Sequence, residues 1–389
     1  MSSSDWPLDD DLVALRDLVR KFVATEVRPL EEGLDPDALE LPPEDLSVVQ
    51  AKAQQAGLWC IGSPGEYGGA NLTLLQQAVV AEEAARCRMG LESTAAGAFG
   101  YDPPSVIFGG TTEQISEFAV PAISAGQKTF VALSEPEGGS DPARSIRTTA
   151  ERDGDDWVIN GSKMWISGAD TADWGILFAR TDRSAGRGGI SCFIADTNRP
   201  GFAAHPIPVI RSWFPCEVVL MDYRIPADRL LGVEGEGFKL AKRWLDPNRI
   251  RYAAAVLGVA AEAIEMAVDY AKQRVVFGGR LADKQGLAFP LVDSEIELRA
   301  ARMLVYAAAA RADSGQSFST EASMAKIFAT ETAGRIVDRC IQVFGAMGVS
   351  KALPLERWYR ELRVKRIGEG PSEVHRMAIA RKMFGSVSS

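Results

Sequence analysis

The hydrophobic pattern changes twice along the 389 residues, and this double change limits the possible fold more than any other feature. Up to about residue 126, and again after about residue 235, apolar residues recur at the spacing of amphipathic helices. Between these regions, short β-branched and aromatic runs alternate with turn clusters, which is typical of an all-β unit. The sequence therefore predicts an α+β protein with an N-terminal α-helical domain (1–126), a middle β-barrel or sandwich domain (127–234) and a C-terminal four-helix bundle (235–389).

Individual elements can be predicted from the same patterns. Asn160-Gly161, between two alternating runs, is interpreted as a hairpin turn. The predicted strands cover residues 129–133, 157–160, 163–167, 175–179, 190–195 and 218–221. The long C-terminal helices are predicted at residues 236–274, 286–313, 319–346 and 371–384.

Composition excludes several classes of function. The net charge of −9 argues against a nucleic-acid partner. Five scattered cysteines and two histidines provide neither a disulfide framework nor a Cys/His metal site, so no metal is expected. The N-terminus lacks the apolar core of a signal peptide, its acidity is opposite to that of a transit peptide, and no apolar run reaches the ~18 residues of a membrane span. The prediction is a cytoplasmic protein without membrane insertion.

Three clusters are candidates for ligand binding. Residues 131–141 place small residues and hydroxyls in a loop after a strand, where backbone N–H groups can approach a ligand. Trp165 and Ser167 share one face of a predicted strand and suit a flat aromatic ligand. Arg274 and Phe277 precede a glycine turn, where a guanidinium can hold a phosphate. Taken singly, these clusters also fit an acidic surface turn, a buried tryptophan and a solvated helix end.

The fourth cluster is Gly368-Glu369-Gly370-Pro371, just before a predicted helix start. The flanking glycines give Glu369 backbone freedom and allow another molecule to come close. The positive end of the helix favours its carboxylate form. Taken alone, Glu369 also fits a helix-flanking acid without a chemical role.

In this order and at these distances, the four clusters resemble the acyl-CoA dehydrogenase family over nearly the whole chain, from the loop at residues 64–69 to Arg381. The resemblance implies FAD between the β-domain and the bundle, an acyl-CoA substrate, and a homotetramer in which the neighbouring subunit completes each FAD site. It also implies an electron-transfer flavoprotein as the electron acceptor.

The resemblance also implies roles for individual residues. Leu133, Ser134, Trp165 and Ser167 would contact the isoalloxazine region of FAD. The cofactor of the adjacent subunit would be held by Arg274, Phe277, Gln285, Gln342 and Gly345. Pro371 and Glu373 match positions near the cofactor, although they replace a Thr and a Gln that are common in the family. The acyl-CoA channel would be lined by Ser140, Asp246 and Arg249, and residues around 88–104 and 244–252 would select the acyl group.

Glu369 is the implied catalytic base. The family places its base either at the Gly-Glu-Gly turn or at a helix position that here matches Asn248, and an asparagine cannot accept a proton at neutral pH. Removal of an α-proton from a thioester needs hydrogen bonds to the developing enolate oxygen as well as a base. Desolvation should raise the pKa of Glu369. The implied product is a trans-2-enoyl-CoA.

Other interpretations remain open at this level. A flavin oxidase or monooxygenase on the same fold, a reductase acting on an enoyl-CoA, and a non-catalytic acyl-CoA- or FAD-bound scaffold are the alternatives. The basic stripe of Arg357, Arg360, Arg363, Lys365 and Arg366 is more readily explained as a solvated or ion-paired helix face than as a docking site. His375 is interpreted as a structural or cofactor-adjacent residue.

Overall fold

The computed structural model describes residues 6–385; residues 1–5, which begin the acidic N-terminal segment discussed above, and 386–389 lie outside the described residues. The first part of the chain is helical, as predicted. Asp9 caps the first helix by accepting a hydrogen bond from Leu12 N, and Thr73 with Gln76 forms a capping box before another. The helices are α1 Asp10–Phe22, α2 Arg28–Glu31, α3 Pro43–Gln55, α4 Leu74–Ala84, α5 Thr112–Gln114 and α6 Val120–Ala125.

The middle part of the chain forms a sheet whose order is β6-β7-β3-β2-β4-β5-β8, with β1 pairing parallel to β4. Trp174, Ile176 and Phe178 of β4 pack towards helical residues, whereas Leu177 packs in the core of the sheet domain itself. Both faces of β4 are therefore buried, and one of them packs against residues of both helical parts. Its elements are β1 Thr129–Ala132, α7 Pro142–Ser145, β2 Thr149–Asp153, β3 Asp156–Ser167, β4 Trp174–Arg180, β5 Ile190–Asp196, β6 Phe202–Pro206, β7 Pro215–Pro226 and β8 Leu230–Leu231.

The hairpin predicted at Asn160-Gly161 is wrong. Both residues lie inside the single strand β3, and the register against β7 shifts between Ile159 and Gly161, as in a β-bulge. A Cβ atom at Gly161 would lie 2.6 Å from Thr148 Oγ1. The glycine is therefore required by the close approach of Thr148, which immediately precedes the adjacent strand β2, and not by a chain reversal. The reversal lies earlier, between β2 and β3, where Asp153 pairs with Asp156.

The C-terminal part is a helical bundle whose core is rich in alanine and aliphatic residues. The longest helix, α8, has 37 residues and contains Pro247, which cannot donate a backbone hydrogen bond within the helix. The elements are α8 Gly237–Gln273, β9 Val275–Val276, β10 Gly279–Arg280, α9 Gln285–Asp313, α10 Ser319–Phe344, α11 Leu355–Lys365 and α12 Ser372–Phe384. Within residues 6–385, no helix combines the length and apolar character that crossing a membrane requires.

The basic stripe around α11 is only partly solvated. Arg357 is fully buried, forms an ion pair with Glu92, and donates hydrogen bonds to the carbonyls of Pro36 and Ala38. Lys365 is also buried. The ion-paired part of the earlier interpretation is correct for Arg357 and for Arg360, which contacts Asp37 and Glu356. The solvated part is wrong for Arg357 and Lys365, which the N-terminal domain covers, and correct for Arg363 and Arg366, which are exposed.

Candidate active site

Glu369 lies in the short turn between α11 and α12, and its backbone is in the left-handed region with φ of +57°. A non-glycine residue adopts this conformation at a cost of roughly 1 kcal/mol or more, and such residues cluster at functional sites. Gly370 follows with φ of +96°, a value that L side chains rarely adopt. A Cβ atom at Gly368 would lie 2.5 Å from the Tyr252 hydroxyl. The two glycines are therefore needed for this turn to form against α8.

The turn is held by side chains from three helices. Lys326 of α10 donates hydrogen bonds from Nζ to the carbonyls of Gly370 (2.8 Å) and Arg366 (3.2 Å). Arg249 of α8 donates from Nε to the carbonyl of Glu369 at 3.3 Å, and His375 of α12 contacts the same oxygen through Nε2 at 3.1 Å. These contacts fix the backbone of the turn and leave the Glu369 side chain free of them.

The protonation of His375 follows from its partners. The Glu369 carbonyl can only accept, so Nε2 must carry the hydrogen. The other nitrogen, Nδ1, lies 3.1 Å from the Ser323 hydroxyl. Burial and the charges of Arg249 and Lys326 lower the pKa of His375 to about 4, so the ring is neutral at pH 7 and Nδ1 is an acceptor. The Ser323 hydroxyl has two acceptors for its one hydrogen, His375 Nδ1 and the Ser319 carbonyl at 3.0 Å. His375 thus connects α10 to the turn as a structural residue.

The Glu369 carboxylate faces a cavity of about 840 Å³. Its Oε2 atom is buried and has no hydrogen-bond partner among the described residues. Burial raises the pKa of Glu369, while the charges of Arg249, Lys326 and Lys365 and a hydrogen bond from Asn248 oppose that rise. Burying a carboxylate oxygen without a hydrogen-bond partner is energetically unfavourable. Its position at the cavity would allow it to accept a proton from a bound ligand.

Trp165 and Ser167 of β3 line the same cavity as Glu369. Trp165 is 54% exposed and has φ of +66°, so the indole is turned out of the sheet towards the open space. The intervening Ile166 is buried in the sheet. The structure thus brings together Glu369 and two of the residues predicted to contact the isoalloxazine ring.

Leu133 and Ser134 lie in the loop after β1, which is attached to β3. Met164 N donates to the Ser134 carbonyl at 2.9 Å. Glu135, which follows, is buried, and it accepts hydrogen bonds from Lys163 Nζ (2.7 Å) and from the Arg147 and Thr148 backbone N–H groups. This buried ion pair fixes the loop beside the strand that carries Trp165. The sequence analysis did not single out either member, although a lysine in an alternating strand at an inward position is a usable signal.

The other predicted site residues are not among those that line the cavity, although Arg249 contacts the backbone of Glu369. Asp246 and Arg249 form an ion pair with 2.7 Å between Oδ1 and Nη1. Ser140 is exposed, Pro371 immediately precedes α12 as its N-cap residue, and Glu373 is exposed on its first turn. A further group is exposed at the ends of the long bundle helices, with Phe277 99% exposed; this group comprises Arg274, Phe277, Gln285, Gln342 and Gly345.

Several residues that line the cavity were not singled out by the sequence analysis. Among them, Ser93, Thr94, Tyr101 and Asp102 lie within residues 90–105, and Arg251 and Tyr252 lie on α8; these stretches overlap the two regions expected to select the acyl group. Periodicity could not identify them because a polar residue on a helix is usually solvated. Asn248 and Lys365, which were named for other reasons, also line the cavity.

Known protein families account for most of the chain. The acyl-CoA dehydrogenase N-terminal domain matches residues 9–126, the middle domain residues 131–222 and the C-terminal domain residues 235–384. The mitochondrial short-chain specific acyl-CoA dehydrogenase of Bos taurus is 37% identical over 383 residues, which cover 96% of this chain and 90% of that protein.

Two further relatives broaden the comparison. The 3-(aryl)acrylate reductase of Clostridium sporogenes is 37% identical and covers 95% of this chain and 97% of its own. A solved structure from work on the electron transferring flavoprotein of Acidaminococcus fermentans has a TM-score of 0.87 and 32% identity, covering 98% of this chain and all of that one. Together with the helix–sheet–helix architecture and the cavity, these matches show that the chain is a member of the acyl-CoA dehydrogenase family, which consists of FAD-dependent oxidoreductases.

Proposed function

We propose that the protein removes the α-proton and β-hydrogen of an acyl-CoA thioester to give a trans-2-enoyl-CoA, with Glu369 as the general base. The observation that carries this proposal is the buried, unpartnered Oε2 of Glu369, which faces the cavity from a strained and well-supported turn. An acid that served only to support the structure would be expected to have its oxygens paired.

The electrostatics of the turn fit the work of a base. Burial raises the pKa of Glu369 and so strengthens its affinity for a proton. The charges of Arg249, Lys326 and Lys365 oppose that rise. The left-handed backbone of Glu369 is stabilised by Lys326, Arg249 and His375, which contact three carbonyls of the turn and leave the carboxylate at the cavity. A positioned base of this kind contributes roughly 10²–10⁴-fold to a rate.

The residues around the cavity fit FAD. Trp165 offers an exposed aromatic face, Ser167 a hydroxyl beside it, and the loop with Leu133 and Ser134 is fixed to the same strand by the Lys163–Glu135 ion pair. Bound FAD supplies the acceptor for the hydride that leaves Cβ. Trp165, Ser167, Leu133 and Ser134 would hold its ring system, with Pro371 and Glu373 near it.

The exposed group at the ends of the bundle helices supports an assembly. Arg274, Phe277, Gln285, Gln342 and Gly345 are exposed in the single chain, and a fully exposed phenylalanine next to an arginine is typical of an interface or of a ligand contact. We propose that they hold the FAD of an adjacent subunit in a homotetramer, which light scattering of the purified protein tests. The domain boundaries at 126/127 and 234/235 and a cytoplasmic location belong to the same proposal.

An electron-transfer flavoprotein is the proposed acceptor, supported by the structural relative described above. Reoxidation of the substrate-reduced enzyme should be slow in air and fast with such a flavoprotein. Rapid reoxidation by air alone would instead indicate an oxidase.

The central experiment is anaerobic titration of the purified, FAD-loaded protein with saturated acyl-CoA thioesters of short, long, branched and cyclic types. At least one should bleach the flavin absorbance. The Glu369→Gln variant, which keeps the size of the side chain but cannot take a proton, should bind the same thioester without bleaching. Failure of every saturated thioester with the unmodified protein would reject the proposed reaction, and bleaching only by reduced nicotinamide would favour a reductase.

A further inference from the structure

Part of the cavity wall is unusually polar for the proposed substrate. The residues that α8 presents to the cavity include Asn248, Arg251 and Tyr252, and Asp102 lines the cavity beside them. A saturated hydrocarbon chain makes no hydrogen bonds, so it would leave such groups desolvated without compensation. The polar wall therefore bears on which acyl group the proposed dehydrogenation acts upon.

Arg251 is the least satisfied of these groups. Its Nε is buried and has no partner among the described residues. Its Nη1 lies 3.8 Å from Asp102 Oδ2, which is too far for a hydrogen bond, and its Nη2 makes a long contact of 3.3 Å with Asn248 Oδ1. A guanidinium carries five N–H donors and is charged at every physiological pH. Most of its donor capacity therefore has no hydrogen-bond partner within residues 6–385.

Asp102 forms an ion pair with Arg251 but accepts its hydrogen bonds from other groups. Its Oδ1 accepts from the Ser63 hydroxyl at 2.6 Å, and both of its oxygens accept from the Gly62 backbone N–H at 3.1 and 3.2 Å. These bonds hold Asp102 on the loop at residues 62–63, beyond hydrogen-bond reach of the guanidinium. The arrangement leaves Arg251 facing the cavity with an excess of donors.

Arg251 is connected to the proposed base through one residue. Asn248 accepts the contact from Arg251, and its side chain also forms the hydrogen bond that opposes the raised pKa of Glu369. Asn248, Arg251 and Glu369 all line the same cavity. A group that contacts Arg251 would thus lie in the same cavity as the α-carbon that Glu369 deprotonates.

A second donor set lies on the same wall. Lys365 and Tyr252 both line the cavity, with Lys365 Nζ 4.3 Å from the centre of the Tyr252 ring. Lys365 Nζ donates one hydrogen bond, to the Leu91 carbonyl at 2.9 Å. Glu92, which also lines the cavity, forms an ion pair with buried Arg357. Two further cation or hydroxyl donors, Lys365 and Tyr252, therefore accompany Arg251 on the cavity wall.

From the incompletely hydrogen-bonded Arg251 guanidinium at the cavity wall we infer that the acyl group carries an oxygen function beyond Cβ, a carboxylate or a hydroxyl, which accepts hydrogen bonds from Arg251. This inference rests on the proposed function and narrows it from acyl thioesters in general to oxygenated ones. Arg251 is then a residue that determines substrate specificity, and an unsubstituted chain of equal length is the disfavoured substrate because it leaves the guanidinium without partners.

The test compares matched thioesters of equal carbon number on the FAD-loaded enzyme. Butyryl-, pentanoyl- and hexanoyl-CoA are set against succinyl-, glutaryl- and adipyl-CoA, and against the corresponding ω-hydroxyacyl-CoA esters. Anaerobic stopped-flow gives the rate of flavin bleaching and the dissociation constant for each. At one chain length, an oxygenated ester should exceed its unsubstituted partner by at least about tenfold in the ratio of rate to dissociation constant. The carboxylate and hydroxyl series show which oxygen function is preferred.

Variants assign the preference to one side chain. Arg251→Leu should remove the preference because the ratio of bleaching rate to dissociation constant falls for the oxygenated ester. Arg251→Lys should retain part of the preference. Arg243→Leu, an exposed position on the same helix, should leave it unchanged. Equal or better bleaching by the unsubstituted esters of the unmodified enzyme would overturn the inference while leaving the proposed reaction intact. The absence of bleaching by any ester would overturn both.

Discussion

His375 allows a quantitative test of how the turn around Glu369 is supported. The side chain is 1% exposed and contacts Ser323 and the Glu369 carbonyl. Burial and the neighbouring charges lower its pKa from 6.5 to about 4. Between these values the unfolded chain binds a proton that the folded chain does not, so stability must fall as the pH falls through this range. At about 1.4 kcal/mol for each tenfold change in proton affinity, the loss is about 3 kcal/mol.

The assay is urea unfolding of the FAD-loaded protein at a series of pH values between 4 and 7 and at fixed protein concentration. The reference is His375→Gln, whose amide can still donate to the Glu369 carbonyl but does not titrate in this range. Carboxylates that titrate in both proteins cancel in the comparison. The unmodified protein should lose about 3 kcal/mol more than the variant between pH 6.5 and 4. Parallel stability curves would refute the buried, neutral state of His375.

Three further predictions concern Gly370 in the turn, the buried Lys163–Glu135 ion pair beside the predicted flavin site, and Glu369 as the base. Gly370→Ala should destabilise the protein by about 1–3 kcal/mol in urea unfolding and slow flavin bleaching, because φ is +96° there; Gly286→Ala, in an open helical position, should do neither. Lys163→Met should lower the free energy of unfolding by about 3–5 kcal/mol because it leaves Glu135 buried without its cation. The variant should also lose FAD more readily on dilution; if it retains FAD as well as the unmodified protein, the ion pair does not support the cofactor site. The rate of flavin bleaching should rise with pH through a midpoint above ~4.3, the ordinary glutamate value, because burial raises the pKa of Glu369; a midpoint at or below that value would contradict its desolvation.

The overall architecture could be predicted because it depends on periodicity. The long helices α8, α9 and α10 begin and end within two residues of the predicted bounds, since their apolar stripes and glycine-containing connections are local signals. The family resemblance singled out Glu369, and the structure places it at the cavity with Trp165 and Ser167.

The errors arose where a local signal has more than one cause. Asn160-Gly161 is a bulge because Thr148 approaches the glycine, a contact that lies outside the local pattern. The stripe on α11 showed that Arg357 and Arg360 share a side, but not that the N-terminal domain covers Arg357. Arg251 went unnoticed for the same reason: its sequence neighbours do not reveal that it faces a cavity.

The central claim is that Glu369 removes the α-proton, and isotope exchange tests it without relying on electron transfer. The FAD-loaded enzyme is incubated anaerobically in D₂O with an acyl-CoA that bleaches its flavin, and the recovered thioester is analysed by mass spectrometry. Deuterium should enter at Cα with the unmodified enzyme and with Glu44→Gln, an exposed control, but not with Glu369→Gln. Undiminished exchange in Glu369→Gln would contradict the assignment and place the base elsewhere.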